Sequence, residues 1–175
     1  MNAQLFANAS AMKWSQMLTN LIANATSAIL NMTPAEVFAH SGLYRLEMAQ
    51  QREALAVMRA MGIPVVDLPG TPVRLLAAGA RYLPARLSQP LLQRSVIRGR
   101  GGKMPSFYID LHSGRGQSEV DYLNGAIVRL GEQHHIPTPV NRLLRDTLLA
   151  LTTGALPRDS FDHQPEKLIA QFRIK

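Results

Sequence analysis

The chain has 175 residues, and its 46% hydrophobic and 18% charged residues are the balance of one folded domain, which excludes a disordered chain. The absence of cysteine excludes disulfides, thiolate metal ligands and a thiol nucleophile. The formal net charge of +7 suits many anionic partners, from nucleic acid to a phosphorylated cofactor, and does not choose among them.

The first half of the chain is predicted to be helical. Apolar residues recur at helical spacing from Lys13 to Leu30 and predict one continuous helix. A second helix is expected from about Pro34 to Gly42, with Thr33 as its cap. A third is expected from about Leu43 to Met61 and ends at Gly62.

The second half begins with a proline-rich connector, Ile63–Pro90, in which only Val73–Tyr82 is expected to be helical. The basic, glycine-rich stretch Arg98–Lys103 is predicted to be a mobile loop. Ser118 followed by Asp121 resembles a capping box that starts a helix, and Thr138-Pro139 starts another. With five or more helices and no strand alternation, the fold is predicted to be all-α, a single multi-helix domain over residues 1–175.

Three amides form the main candidate for a binding site. Gln16, Asn20 and Asn24 are spaced four apart on the first predicted helix, so they would share one row along the edge of its apolar stripe. Such a row can line a cleft and hold the oxygens of a small polar substrate, or it can border the core and bond to neighbouring helices. Lys13 projects near the same edge, where a lysine can donate a proton or pair with a carboxylate, although most lysines do neither.

Other patterns exclude several functions. Met104 follows Lys103 at a position where a Walker loop needs Ser or Thr and a Rossmann fingerprint needs Gly. No nucleotide-binding loop is therefore predicted. The glycine-rich stretch could still close over an anionic ligand. The histidines lack metal-ligand spacing, and no metal is expected. An anion or nucleic-acid binder could use Arg94, Arg98, Arg100 and Lys103, but aromatics are not interleaved with the basic residues, so nucleic acid is not an expected partner. Without a signal sequence or a membrane-length apolar run, the chain is expected to be cytoplasmic, with no membrane partner.

Several motifs taken together resemble the C-terminal domain of the ketopantoate reductase family, the 2-dehydropantoate 2-reductases. The resemblance covers most of the chain. It also implies an all-α fold of the kind shared with the C-terminal domain of 6-phosphogluconate dehydrogenase. The matching residues are Lys13-Trp14, Asn20, Asn24, Gly99, Lys103-Met104-Pro105-Ser106, Ser118-Glu119-Val120-Asp121, Leu123-Asn124-Gly125-Ala126 and Thr138-Pro139-Val140-Asn141.

The resemblance implies roles for individual residues. Asn20 and Asn24 match the asparagines that hold the substrate in the family, and Ser106 matches the serine at its polar end. Glu119 matches the acid on the cofactor side of the cleft. The family's proton-donor lysine falls on Gln16, which cannot donate a proton usefully. Lys13 is a weak substitute, because its head group would have to reach back along a full turn.

The resemblance also implies partners. Family members carry an N-terminal Rossmann domain that holds NADPH, and the sequence motif of that domain is not found in these residues. NADPH is therefore expected only with a separate Rossmann domain, and none is expected on this chain alone. The predicted function is the substrate-binding and dimerisation part of an NADPH-dependent 2-dehydropantoate 2-reductase, acting on a small 2-oxoacid such as ketopantoate in pantothenate biosynthesis. The isolated chain is expected to be inactive and a homodimer. The alternative is a catalytically silent dimerisation or ligand-binding module derived from the same family.

Overall fold

Ten α-helices form the fold of the residues that the computed structural model describes, which are 2–100, 102–114 and 116–173. Side chains are described for residues 9–94, 102–114 and 116–172. No strand occurs within these ranges, so the predicted all-α fold is confirmed. The helices are α1 (Asn2–Leu21), α2 (Asn24–Leu30), α3 (Pro34–Ala39), α4 (Ser41–Ala60), α5 (Val73–Tyr82), α6 (Ala85–Arg100), α7 (Ser106–His112), α8 (Val120–Gln133), α9 (Pro139–Thr153) and α10 (Pro165–Arg173).

The first predicted helix is in fact two helices, and the prediction of one continuous helix is wrong. α1 and α2 are separated at Ala23, whose φ of 52° lies in the left-handed region that non-glycine residues rarely adopt. The backbone N–H of Ala23 donates to the Glu47 carboxylate on α4 at 2.8 Å, and this buried acceptor fixes the break. The apolar stripe continues across the break, so periodicity alone did not reveal it. Asn20 and Asn24 therefore lie on opposite sides of the break rather than on one helical row.

The next two helices form largely as predicted. The Thr33 side chain accepts from the Glu36 backbone N–H at 3.3 Å, and the Glu36 carboxylate accepts from the Thr33 backbone N–H at 2.7 Å. This capping box starts α3, and the hydrogen bonds that the Thr33 hydroxyl and backbone N–H donate to the Glu36 carboxylate lower the pKa of Glu36. α3 and α4 meet at His40 rather than at Gly42. Gly62, with a φ of 69°, follows the end of α4 as the predicted glycine stop.

The prediction of a connector around Pro90 is wrong. The predicted helix at Val73–Tyr82 is present as α5, but a second helix, α6, follows it and contains Pro90. Tertiary contacts explain why proline does not end this helix. The Tyr44 hydroxyl donates to Ser88 Oγ at 2.6 Å, and Gln89 Nε2 donates to the Phe38 carbonyl at 2.9 Å. These bonds hold α6 against α3 and α4, and packing overrides the local propensity.

The mobile-loop prediction for the basic, glycine-rich stretch is also wrong for its first part. Arg98, Gly99 and Arg100 belong to α6, and Gly101 lies outside the described residues. Residues 102–105 are non-helical and lead directly into α7. This short segment is the part of the stretch that lies near the cavity described below.

The capping box predicted for α8 does not form. Ser118 Oγ accepts from the Val120 backbone N–H at 3.2 Å, two residues on, while Asp121 pairs with Arg129 at 3.0 Å. The shorter aspartate is therefore committed to a neighbour along its own helix instead of reaching back to the start. The start of α9 at Thr138-Pro139 agrees with the prediction.

α4 is the central helix of the core, and it packs against α1, α3, α5, α6, α8, α9 and α10. Its buried apolar residues include Leu43, Leu46, Leu55 and Met58, none more than 1% exposed. The same face also buries three polar side chains, Glu47, Gln50 and Gln51. None of the described helices has both the length and the apolar composition needed to cross a membrane.

Candidate functional site

A cavity of ≈ 420 Å³ lies where the break between α1 and α2 faces α7 and the start of α8. Its walls come from parts of the chain that are far apart in sequence. The lining residues are Asn20, Asn24, Lys103, Met104, Pro105, Ser106, Glu119 and Leu123. The cavity is open to solvent, since Lys103, Ser106 and Glu119 are exposed.

Asn24 ties α2 to α7 at the base of this cavity. Its side chain is 5% exposed, so its polar atoms need partners within the protein. Asn24 Oδ1 accepts from the Phe107 backbone N–H at 3.1 Å, and Asn24 Nδ2 donates to Ser106 Oγ at 3.3 Å. Because an amide nitrogen carries two N–H groups, one remains for a ligand. Asn24 thus fixes the start of α7 and still offers a donor to the cavity.

Asn20 is oriented by its neighbours on α1. Asn20 Oδ1 accepts from Gln16 Nε2 at 3.2 Å, which leaves the Asn20 N–H groups as donors at the cavity wall. Gln16 Nε2 also donates to Thr19 Oγ1 at 3.0 Å, so both of its N–H groups are engaged. Gln16 is exposed and is not among the lining residues. It therefore acts on the cavity through Asn20.

A buried glutamate holds the α1–α2 break in place from behind. Glu47 is fully buried, and its two carboxylate oxygens accept from Ala23 N at 2.8 Å and from Thr26 Oγ1 at 2.5 Å. Sequence reasoning did not single out this residue. The available signal was its position on the apolar stripe of α4, between Leu43 and Leu55, where a charged residue is unusual.

The cavity carries one side chain of each charge among its described lining residues. Lys103 is the cation and Glu119 the anion. The ion pairs found in the described part of the chain involve neither of them. The remaining polar groups are the uncharged donors of Asn20, Asn24 and Ser106, which suit a small ligand rich in oxygen acceptors.

A family model described as ketopantoate reductase PanE/ApbA C terminal matches residues 8–152. The chain belongs to this family. The matched range contains all residues that line the cavity, among them Asn20, Asn24, Ser106 and Glu119.

Relatives of known identity agree with this membership. A 2-dehydropantoate 2-reductase of Pyrobaculum aerophilum is 25% identical over 138 residues, 79% of this chain and 42% of that protein. A solved PanE/ApbA family ketopantoate reductase from Ralstonia eutropha JMP134 superposes with a TM-score of 0.64 at 26% identity, covering 82% of this chain and 41% of that one. A D-mandelate dehydrogenase solved with NADH and anilino(oxo)acetate shares the fold, with a TM-score of 0.61 at 21% identity over 81% of this chain and 67% of that one. The chain spans less than half the length of the first two.

The residues to which the resemblance assigns roles in the reaction divide into two groups. Asn20, Asn24, Ser106 and Glu119 come together around the cavity. Lys13 is exposed and is not among the lining residues, and Gln16 stands behind Asn20. Gln16, the position to which the resemblance assigns the family's proton donor, hydrogen-bonds along its own helix.

Two family-motif asparagines belong to a support network rather than to the cavity. Asn124 Nδ2 donates to Asn141 Oδ1 at 3.1 Å, and both residues are fully buried. Glu53 accepts from the backbone N–H of Val140 at 2.8 Å and of Asn141 at 2.9 Å, which caps the start of α9. Burial raises the pKa of Glu53, and the hydrogen bonds from Asn141 and Val140 oppose that rise. The network joins α4, α8 and α9 and supports the start of α8 beside the cavity.

The described residues contain no group of three histidine, aspartate or glutamate side chains placed to hold a metal ion. A dinucleotide site of the Rossmann type needs a parallel sheet with a glycine-rich turn. The described ranges have no strand, so they do not form a dinucleotide site of this type.

Proposed function

We propose that this chain is the substrate-binding part of an NADPH-dependent 2-oxoacid reductase that converts ketopantoate to pantoate. The observation that carries the proposal is the convergence of Asn20, Asn24 and Ser106, the family's substrate-holding positions, on one cavity. Asn24 and Ser106 are hydrogen-bonded to each other although they are 82 positions apart. Such an arrangement depends on the whole fold and not on local sequence.

The chemistry of the cavity suits a 2-oxoacid. The ketone and carboxylate oxygens of such a substrate are hydrogen-bond acceptors, and the Asn20 and Asn24 amides and the Ser106 hydroxyl offer donors. The hydride for the ketone carbon would come from NADPH bound to a separate Rossmann domain, while the residues of this chain hold the ketone and carboxylate oxygens. Glu119, at the start of α8, faces that domain in this proposal and contacts the cofactor side of the cleft.

This chain lacks a good proton donor for the alkoxide that hydride transfer produces. Gln16 has no acidic proton, and its two amide N–H groups are engaged by Thr19 and Asn20. Gln16 therefore positions Asn20 for substrate binding, and proton donation from this position is absent. We infer that turnover is slow even with a Rossmann domain in place, and that a lysine at position 16 would raise kcat.

A fusion experiment tests the proposal. The nucleotide-binding part of the Pyrobaculum aerophilum reductase is fused ahead of this chain, with either Gln16 or Gln16→Lys, and NADPH oxidation is followed with ketopantoate. We expect weak turnover with Gln16 and an increase of about 100-fold in kcat with Gln16→Lys, the usual contribution of a positioned general acid. Asn20→Ala in the Gln16→Lys fusion is the control and should abolish the gain. No turnover of any 2-oxoacid by either fusion would contradict the proposal.

A second candidate is a silent module that keeps the fold and the dimer or ligand contacts without catalysis. The engagement of Gln16 in hydrogen bonds at the proton-donor position favours it. The two candidates separate in the same experiment, because a silent module gains nothing from Gln16→Lys. Homodimer formation and cytoplasmic location stay predictions, and light scattering on the purified chain measures the first.

A further inference from the structure

The charge of the cavity is not explained by the family's substrate-holding residues. Asn20, Asn24 and Ser106 are uncharged, and Gln16 is a neutral residue at the family's lysine position. Lys103 is the only cation among the described residues that line the cavity. Sequence reasoning placed it in a basic loop that could close over an anionic ligand, and assigned it no individual role in substrate binding.

A positive charge in such a site favours an anionic substrate. A 2-oxoacid carries a full negative charge on its carboxylate, and a cation beside the carboxylate attracts it by a charge-assisted hydrogen bond. Among the described residues, Glu119 is the other charged group of the lining, and it repels a carboxylate. Lys13 is exposed and lies outside the lining, so it cannot supply the charge at this position.

Lys103 is placed to supply it. It lies in the non-helical segment that ends at Pro105, directly before Ser106 at the start of α7. Lys103 has no ion-pair partner within 4.0 Å among the described residues, so no acid competes for its ammonium group. Ser106 is held by Asn24 at 3.3 Å, and this anchors the segment that carries the lysine.

We propose that Lys103 pairs with the carboxylate of the substrate and makes the site select 2-oxoacids over neutral ketones of the same shape. This inference rests on the proposed function and names the residue that sets its substrate class. The ammonium group is a mobile point charge, which suits a carboxylate that enters from solvent. The asparagine amides then hold the ketone side of the molecule.

The test compares how tightly the whole chain binds a 2-oxoacid and its neutral analogue. The ligands are 2-oxoisovalerate and its primary amide, and the side-chain amide NMR signals of Asn20 and Asn24 report binding. We expect the wild-type chain to bind the acid about tenfold more tightly than the amide, as for a hydrogen bond to a charged group. Lys103→Gln should weaken acid binding about tenfold and leave amide binding unchanged, while Lys103→Arg keeps the preference.

Lys13→Gln is the matched control, because it removes an exposed lysine outside the lining. It should bind both ligands as the wild type does. Since Lys103 is exposed, Lys103→Gln should retain the wild-type Tm, which circular dichroism checks. A Lys103→Gln chain that still prefers the acid, or a wild type that binds both ligands equally, overturns the inference and leaves the proposed function standing. Absence of any shift at Asn20 and Asn24 with either ligand contradicts the proposed function itself.

Discussion

Two sets of polar side chains in this protein look alike in sequence and differ in their surroundings. The inner set, formed by Glu47, Glu53 and Asn141, is bonded to backbone and side-chain partners within the core. The outer set around the cavity includes Asn20 and Lys103, which keep donors that no protein acceptor uses within the described part of the chain. The difference teaches that polar side chains bonded to the backbone of neighbouring helices serve the fold, whereas donors left free at an open cavity serve a ligand.

The comparison predicts its largest effect on stability at Glu47. Glu47→Ala would leave the N–H of Ala23 buried without its acceptor and would release Thr26. We expect the free energy of unfolding to fall by about 3 kcal/mol, the upper part of the range for a buried network. Urea unfolding monitored by circular dichroism measures it.

The matched control is a glutamate of the outer set. Glu119→Ala removes an exposed carboxylate with no ion-pair partner among the described residues. Its effect should stay within about 0.5 kcal/mol. Equal losses from the two variants would show that the division into inner and outer sets is wrong.

The second effect concerns Glu53. Glu53→Ala removes the acceptor for the first N–H groups of α9 and for the Asn141 amide, and we expect a loss of about 2 kcal/mol in the free energy of unfolding. Thermal and urea unfolding give this value. A loss below about 0.5 kcal/mol would mean that solvent replaces the glutamate at this helix start.

The contribution of Glu53 to the free energy of unfolding should fall as pH rises. Burial raises the pKa of Glu53 above its ordinary value of 4.5, so the folded chain holds this proton more tightly than the unfolded chain. The part of the Glu53 contribution to stability that is linked to its proton is therefore fully present below 4.5 and is lost as pH rises through the raised pKa, while the hydrogen bonds to Val140 and Asn141 remain. The difference in unfolding free energy between wild type and Glu53→Gln should fall over that window and then stay constant. A difference that grows with pH would contradict the direction of the shift.

The smallest expected effect is the difference in stability between substitutions of Asn24 and Asn20, the two asparagines of the cavity. Asn24→Ala leaves the Phe107 N–H without its acceptor and should reduce the free energy of unfolding by about 1 kcal/mol. Asn20→Ala removes only a bond to Gln16 on the same helix and should change it by less than about 0.5 kcal/mol. Both variants should lose 2-oxoacid binding in an NMR titration. Loss of binding without loss of stability at Asn20 is the result that marks a ligand residue.

The sequence predicted the fold class and much of the helical pattern because apolar spacing and capping residues act locally. Thr33 with Glu36 and the stop at Gly62 are of this kind. The break at Ala23 was not predictable, since it depends on Glu47, 24 positions away. The helix across Pro90 depends in the same way on Tyr44 and Phe38.

The cavity was predictable only through the family motifs. The four-residue spacing brought Gln16, Asn20 and Asn24 to attention, but the break moves Asn24 off this row, and Gln16 bonds to Asn20 on α1 from outside the cavity lining. No local pattern joins Asn24 to Ser106 or brings Lys103 beside them, because these contacts arise when α7 packs on α2. Loop residues that reach a distant site carry no periodic signal.

A crystal structure of this chain with 2-oxoisovalerate tests the central claim most directly. The account predicts the ligand in the cavity, with its oxygens within hydrogen-bond distance, about 3.2 Å or less, of the Asn20 and Asn24 amides and its carboxylate beside Lys103. A ligand bound elsewhere on the chain, or one whose carboxylate turns away from Lys103 towards solvent, would contradict it.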